Sequence, residues 1–253
     1  MRGHMRIKIL YEDANILAID KPSGILVNKI EKEKEKSVFD YFLKKYPKLE
    51  LAHRLDKETS GVMILAKNQK AHEFLKKQFK DRQIKKIYNA IVSGYVKNDH
   101  GIINKSIGRS PRDFRRRLAG RGARGEMREA ITEYKVLKRF KASCVQNFSR
   151  FTLKGSDTDK NFEHTAPFTF LEVRPKTGRT HQIRVHMKYL NHPVVCDSLY
   201  NPNGLCPKNI SRLALHAKSI EFRNLSGKII KVESPLPKEF NSLIRANGRI
   251  DKK

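Results

Sequence analysis

The nonapeptide His53-Arg54-Leu55-Asp56-Lys57-Glu58-Thr59-Ser60-Gly61 sets one carboxylate among cations, immediately before an apolar run. Arg54 and Lys57 favour the ionised form of Asp56, the state a nucleophile or base needs at neutral pH. Thr59, Ser60 and Gly61 suit a tight, hydrogen-bonded turn that would hold the acid in place. An ordinary loop salt bridge has the same composition, since structural ion pairs also arrange charges this way. From these residues alone, chemistry and structure stay open as alternatives at Asp56.

Metal chemistry is the next possibility, because His53, His181, His186 and His216 all lie in ordered-looking stretches. His181 and His186 are five residues apart, which places them about 140° apart on a helix and on opposite faces of a strand. They make poor joint ligands, and no metal is expected. Cys144, Cys196 and Cys206 are odd in number and contain no CxxC pair, so neither a disulfide framework nor a zinc knuckle is expected. A reducing compartment fits.

The elements that must position these residues follow from periodicity and breakers. Ile7 to Asp20 has short apolar runs around Asp13-Ala14-Asn15 and reads as a hairpin ending at the turn Lys21-Pro22-Ser23-Gly24. Lys29 to Lys36 is an exposed loop, after which Ser37 can cap a helix carrying Val38, Tyr41, Phe42 and Tyr46, stopped by Pro47. Val62 to Ala66 is a buried strand, and Ala71, Phe74, Leu75 and Phe79 fall on one face of a following helix. Ile84 to Val92, Ile131 to Phe140 and Phe168 to Arg174 are strand-like. The Arg-rich stretch from Lys105 to Arg128 is too charged for core and reads as a loop, and Lys154 to Pro167 as a hairpin tip or insertion. Thr180 can cap a helix with Ile183, Met187 and Leu190 on one face. Strands near Leu213 to Phe222 and Lys228 to Val232, then a helix within Ser234 to Ile244, end the pattern. The sum is an α+β chain with a mixed, mainly antiparallel sheet and flanking helices, read as a single domain over 1–253.

Lys and Arg outnumber Asp and Glu by 54 to 26, a formal charge of +28. A polyanion is the natural partner of such a surface, with a merely solvated basic surface as the alternative. With 38% apolar residues the chain can bury a core, and no segment approaches the roughly 20 apolar residues of a membrane span. A protein of the cytoplasm that does not engage membranes is expected.

The nonapeptide resembles the HRLDxxTSG signature of the RluA-type pseudouridine synthases. Further ordered segments carry the same resemblance: Lys21-Pro22-Ser23-Gly24, Lys86-Ile87-Tyr88-Asn89-Ala90, Arg179-Thr180-His181-Gln182-Ile183-Arg184-Val185-His186-Met187, and Leu213-Ala214-Leu215-His216-Ala217. It implies the pseudouridine synthase fold with a central RNA-binding cleft, and an enzyme that isomerises a uridine in structured rRNA or tRNA without metal or organic cofactor. A monomer is the simplest expectation for an enzyme that must enclose one base. The resemblance also implies the catalytic set Asp56, Tyr88 and Arg184. Asp56 would attack C1′ of the target or remove its C2′ proton. Tyr88 would stack on the uracil, and Arg184 would keep the aspartate ionised and oriented.

The resemblance further implies that Leu215 lines the base pocket and that Arg54 fills the space left by the flipped nucleotide. Thr59 and His181, within the matched motifs, are further candidates for contacting substrate. Arg109 and Arg112 lead the basic stretch expected to grip phosphates. The pattern begins at about Ile7, and no small S4-type domain of the kind many relatives carry is expected before it. Ala142 to Thr165 is longer than the corresponding family hairpin. A non-catalytic RNA-binding factor and a nucleoside hydrolase are the competing functions; the hydrolase would need a metal or a second positioned carboxylate.

Overall fold

The computed structural model describes residues 7–28, 36–146 and 164–247. In chain order its first elements are β1 (Lys8–Glu12), β2 (Ile16–Lys21), α1 (Val38–Phe42), β3 (Ser60–Ala66), α2 (Gln69–Lys80) and β4 (Lys85–Ser93). Then come β5 (His100–Asn104), β6 (Ile107–Arg109), β7 (Arg117–Ala119), β8 (Arg124–Arg128), β9 (Ile131–Gln146) and β10 (His164–Pro175). The remainder is α3 (Gln182–Tyr189), β11 (Leu205–Pro207), β12 (Leu215–Arg223), β13 (Ile229–Glu233) and α4 (Lys238–Ala246). The fold is mixed α+β with mostly antiparallel pairing.

The chain divides into two compact units: Met1–Tyr88 with Leu215–Leu236, and Asn89–Ala214 with Pro237–Lys253. In the first, Asp13 turns the opening hairpin by accepting the backbone N–H groups of Asn15 and Ile16 on Oδ1, both at 2.7 Å. β2 pairs antiparallel with β3 from Ile16↔Ala66 to Lys21↔Gly61, and β12 joins β3 in parallel through His216↔Ser60 and Ala217↔Gly61. Both faces of β2 and β3 are covered, which is why these strands are apolar without alternation. Leu17, Ile19, Met63 and Leu65 meet Val38 and Phe42 of α1 on one face. Ile16, Ala18, Val62 and Ile64 meet Ala71 and Leu75 of α2 on the other. Ser37 caps α1 in a capping box with Asp40, a device worth about 1 kcal/mol.

The second unit is built on the long hairpin of β9 and β10, which stay in register from Thr132↔Pro175 to Cys144↔His164 with one bulge at Phe170/Leu171. β5 pairs with the start of β9, β11 with its end, and α4 is tied to it by Lys138 Nζ donating to the Ile244 carbonyl at 2.6 Å.

Three expectations are corrected here. The Arg-rich stretch is a separate three-stranded sheet in the order β7-β6-β8, not a loop. It needs few apolar residues of its own because Ile107 and Ala119 lean on Val185 and Tyr200. Thr180 does not cap α3: His181 occupies that position in the left-handed region, φ 55°, with no side-chain capping bond. Cys196 and Cys206 are paired through their Sγ atoms, with Cα atoms 5.4 Å apart, against the expectation of no disulfide. Their spacing carries no signal, because the turn joining Asn201 N–H to the Asp197 carbonyl at 2.9 Å is what returns the chain. The longer segment from Ala142 to Thr165 lies mainly outside the described residues, its ends being the close of β9 and the start of β10.

Candidate functional site

In the first unit Asp56 opens a tight turn, closed by Thr59 N–H donating to the Asp56 carbonyl at 3.1 Å. The turn is braced from outside by the Lys21-Pro22-Ser23-Gly24 segment. Lys21 Nζ and the Gly24 N–H both donate to the Lys57 carbonyl at 2.9 Å, and Ser23 Oγ donates to the Glu58 carbonyl at 2.6 Å. Lys21 is 0% exposed and also donates to the carbonyls of Pro22 and Ile25. Burying an ammonium is expensive unless several acceptors surround it, so this lysine fixes the geometry of both turns at once. Sequence reasoning missed it; the available signal is a lysine that closes a strand opened by the apolar run Ile16 to Ile19, just before two breakers.

The turn leads into β3, where Gly61 has φ +108°, and a Cβ there would come within 2.8 Å of the Ala217 backbone. Only glycine lets β12 approach this closely, and that approach brings Leu215 and His216 beside the Asp56 segment. Leu215 is buried, and Ser60 Oγ lies 2.9 Å from His216 Nδ1. Thr59 is 2% exposed and its Oγ1 is buried with no hydrogen-bond partner among the described residues. Arg54 is exposed, free of the core that holds its neighbour Leu55.

Tyr88, half-buried on β4, packs against the core cluster that includes Leu55, Met63 and Ala217. Burial, with the negative charge of Asp56 as the lesser cause, raises its phenol well above the ordinary value, so it stays protonated through the neutral range. Tyr88 thus shares its packing cluster with Leu55, the residue that precedes Asp56. Close by, burial pushes Lys86 down to about 8. Burial and then the charge of Lys86 push His53 down to about 3, and His53 Nε2 accepts the Ile64 N–H at 3.0 Å, which fixes the ring as neutral.

In the second unit, Arg184 is 4% exposed, as no solvated helix residue would be. Its Nε and Nη2 donate to the two oxygens of Asp197 at 2.7 and 2.8 Å, and its guanidinium carbon lies 5.1 Å from the centre of the Tyr200 ring. Asp197 Oδ1 also accepts the N–H groups of Leu199 and Tyr200, both at 2.9 Å. Tyr200 Oη accepts the Arg117 N–H at 2.9 Å and lies 3.0 Å from His181 Nδ1. His181, the expected substrate contact, is thus tied to a buried tyrosine that also holds β7.

The start of α3 is locked by Gln182, also unforeseen from the sequence. Its Oε1 accepts Thr177 Oγ1 and the Arg179 N–H, and its Nε2 donates to the Ile131 carbonyl and Thr132 Oγ1. His186 spans Thr132 Oγ1 at 2.8 Å and the Lys105 carbonyl at 3.0 Å, and burial lowers its pKa. Both of its ring nitrogens are engaged. Among the described residues no group of three or more His, Cys, Asp or Glu side chains is placed to hold a metal ion. Arg109 on β6 faces Arg117 and Arg124 across the small sheet, and Arg112 lies exposed in the β6–β7 turn.

A family model described as RNA pseudouridylate synthase matches residues 15–189, a span that holds Asp56, Tyr88 and Arg184. The chain is 34% identical to ribosomal large subunit pseudouridine synthase D of Xanthomonas campestris, covering 95% of this chain and 69% of that protein. It is 35% identical to the protein of the same name from Borreliella burgdorferi, covering 94% and 68%. In structure it is similar to human RNA pseudouridylate synthase domain containing 4, with TM-score 0.69, 25% identity, and coverage of 94% of this chain and 91% of that one.

Proposed function

The chain belongs to the RNA pseudouridylate synthase family and isomerises uridine in RNA to pseudouridine; from that premise we propose that Asp56 is its catalytic carboxylate. The observation that carries the assignment is the bracing of the Asp56 turn. Donors from Lys21, Ser23 and Gly24 fix the carbonyls of the two residues that follow the acid. A group that must meet one sugar carbon within a fraction of an ångström needs such preorganisation.

The reaction breaks the N1–C1′ bond, turns the uracil, forms a C5–C1′ bond and moves a proton from C5 to the solvent while N1 gains one. Nothing is oxidised and no atom is gained overall. Asp56 serves either by adding to C1′ or by taking the C2′ proton, and both routes expose an intermediate that water would destroy. An extruded nucleotide held against apolar side chains avoids that loss. Leu215 supplies apolar surface, and Tyr88, protonated at neutral pH, is suited to stack on the detached base and to serve as the acid–base group for the sugar or C5 proton. Thr59 and His181 complete the contacts to substrate in this reading. Arg184, oriented by Asp197, serves the reaction electrostatically, and exposed Arg54 takes the place of the extruded nucleotide.

The substrate proposed is structured RNA, ribosomal before transfer RNA because the relatives' names specify the large ribosomal subunit, with Arg109 and Arg112 among its phosphate contacts. Residues 1–253 are read as one catalytic domain because the alignments run through both units. A monomer in the cytoplasm, with no organic cofactor, fits this reading; among the described residues no helix is long and apolar enough to cross a membrane.

The test is to incubate purified wild type and Asp56→Ala with ribosomal and transfer RNA lacking the modification, then map pseudouridine at nucleotide resolution. Sites formed by wild type alone support the assignment and identify the RNA. Pseudouridine formed equally by Asp56→Ala removes Asp56 from the mechanism.

A further inference from the structure

Phe114 is 85% exposed, more than any other large apolar side chain among the described residues. It sits in the turn between β6 and β7, in the run Arg112-Asp113-Phe114-Arg115-Arg116. The backbone beneath it is held firmly. Asp113 Oδ1 accepts the Arg115 N–H at 2.9 Å, the Asp113 carbonyl accepts the Arg116 N–H at 3.0 Å, and Ser110 N–H closes on the Arg116 carbonyl at 3.1 Å. Arg117 Nη1 donates to the Phe114 carbonyl itself at 3.0 Å. The same Asp113 grips Arg115 through both carboxylate oxygens, which keeps its own carboxyl near 2 and fixes the guanidinium of the residue that follows Phe114.

A braced turn that holds a bare phenyl ring in water, with arginines at Arg112, Arg115 and Arg116 in the same short run, gains nothing from that ring for folding. The arrangement does suit a ligand that has both an aromatic face and negative charge. An unpaired nucleobase with its flanking phosphates has both, and the turn's fixed backbone has already lost the entropy that binding would otherwise remove.

We propose that Phe114 is a stacking platform for an unpaired base of the bound RNA, with Arg112, Arg115 and Arg116 taking the adjoining phosphates. The platform selects RNA with a loop or bulge near the target and is silent toward uninterrupted duplex, whose bases are already stacked. The proposal rests on RNA being the substrate.

The experiment measures binding of a hairpin RNA carrying 2-aminopurine in its loop, and of a fully paired duplex, to wild type, Phe114→Ala, Phe114→Tyr and Arg112→Ala. Phe114→Ala should weaken hairpin binding about 5- to 100-fold and abolish quenching of the fluorescent base, while Phe114→Tyr restores both. Duplex affinity and the slope of log affinity against log salt should not change in Phe114→Ala, whereas Arg112→Ala lowers the slope by about one phosphate contact. Hairpin binding and quenching that are the same in Phe114→Ala and wild type overturn the platform alone, as does an equal loss on hairpin and duplex. A wild type that binds neither RNA overturns the platform, and its pseudouridine-forming activity, mapped in parallel, shows whether the RNA reading fails with it.

Discussion

Asp197 holds Arg184 by a two-pronged ion pair, Nε to Oδ2 at 2.7 Å and Nη2 to Oδ1 at 2.8 Å, with the aspartate 0% exposed. The carboxylate also caps the backbone of Leu199 and Tyr200, so the pair is anchored at both ends. Its strand-like carrier, Val194-Val195, is fixed in turn by a bridge to Val92 and by Val195 N–H donating to the Ile91 carbonyl at 3.0 Å. Removing one member of such a pair leaves a charge stranded in a low-dielectric site.

Asp197→Ala is therefore expected to lower the unfolding free energy by about 3–5 kcal/mol in urea titration. The double variant Arg184→Met with Asp197→Ala should recover part of that loss, since no buried charge is left alone. Recovery stays partial because the amides of Leu199 and Tyr200 still lack their acceptor. Equal stability of Asp197→Ala and wild type would show that the pair contributes no net stability.

Gly61→Ala should be the most damaging single-methyl change in the first unit. Backbone strain at φ +108° alone costs about 1–3 kcal/mol, and the added carbon meets the Ala217 backbone where β3 and β12 run in parallel. Thermal melting should show a large drop, accompanied by loss of pseudouridine formation as Leu215 shifts. A melt within a degree or two of wild type would mean that β12 gives way without penalty.

The parts of this molecule legible in its sequence are those decided by local pattern. β1 and β2 read as a hairpin because short apolar runs flank Asp13-Ala14-Asn15, β3 reads as a strand because its apolar run from Val62 to Ala66 is unbroken, and Ser37 announces its cap by residue type. The candidate aspartate was legible through its motif. What sequence could not show are partnerships across distance. Lys21 meets the Lys57 carbonyl 36 positions on, Arg184 meets Asp197 13 positions on, and Tyr200 reaches back 83 positions to Arg117. The small basic sheet was misread because strand patterns are judged by apolar content. Here the apolar support comes from Val185 on α3 and Tyr200 in the connection that follows it.

Acid should destabilise the protein through His53. Its folded pKa is about 3 against an ordinary value of 6.5, so in that interval the unfolded chain binds a proton the folded one refuses. Stability therefore falls as pH drops from about 6.5 toward 3, and is indifferent to this group above 6.5. His53→Gln keeps an acceptor for the Ile64 N–H but does not titrate, so its denaturation midpoints should fall less steeply over that range. Parallel curves for the two proteins would assign the acid loss to other groups.

Thr59→Val separates a structural hydroxyl from one that meets substrate. The Oγ1 is buried with no hydrogen-bond partner among the described residues, so replacing it with an isosteric methyl removes an unmet polar group and should leave stability unchanged or raise it by about 1 kcal/mol. If the hydroxyl bonds to the extruded nucleotide in the complex, the same change leaves a substrate group unpaired and lowers kcat/KM about tenfold, corresponding to about 1.4 kcal/mol. A variant that is both stabler and slower places Thr59 on the substrate. One that is stabler and equally fast makes the buried hydroxyl a defect of packing that catalysis does not use.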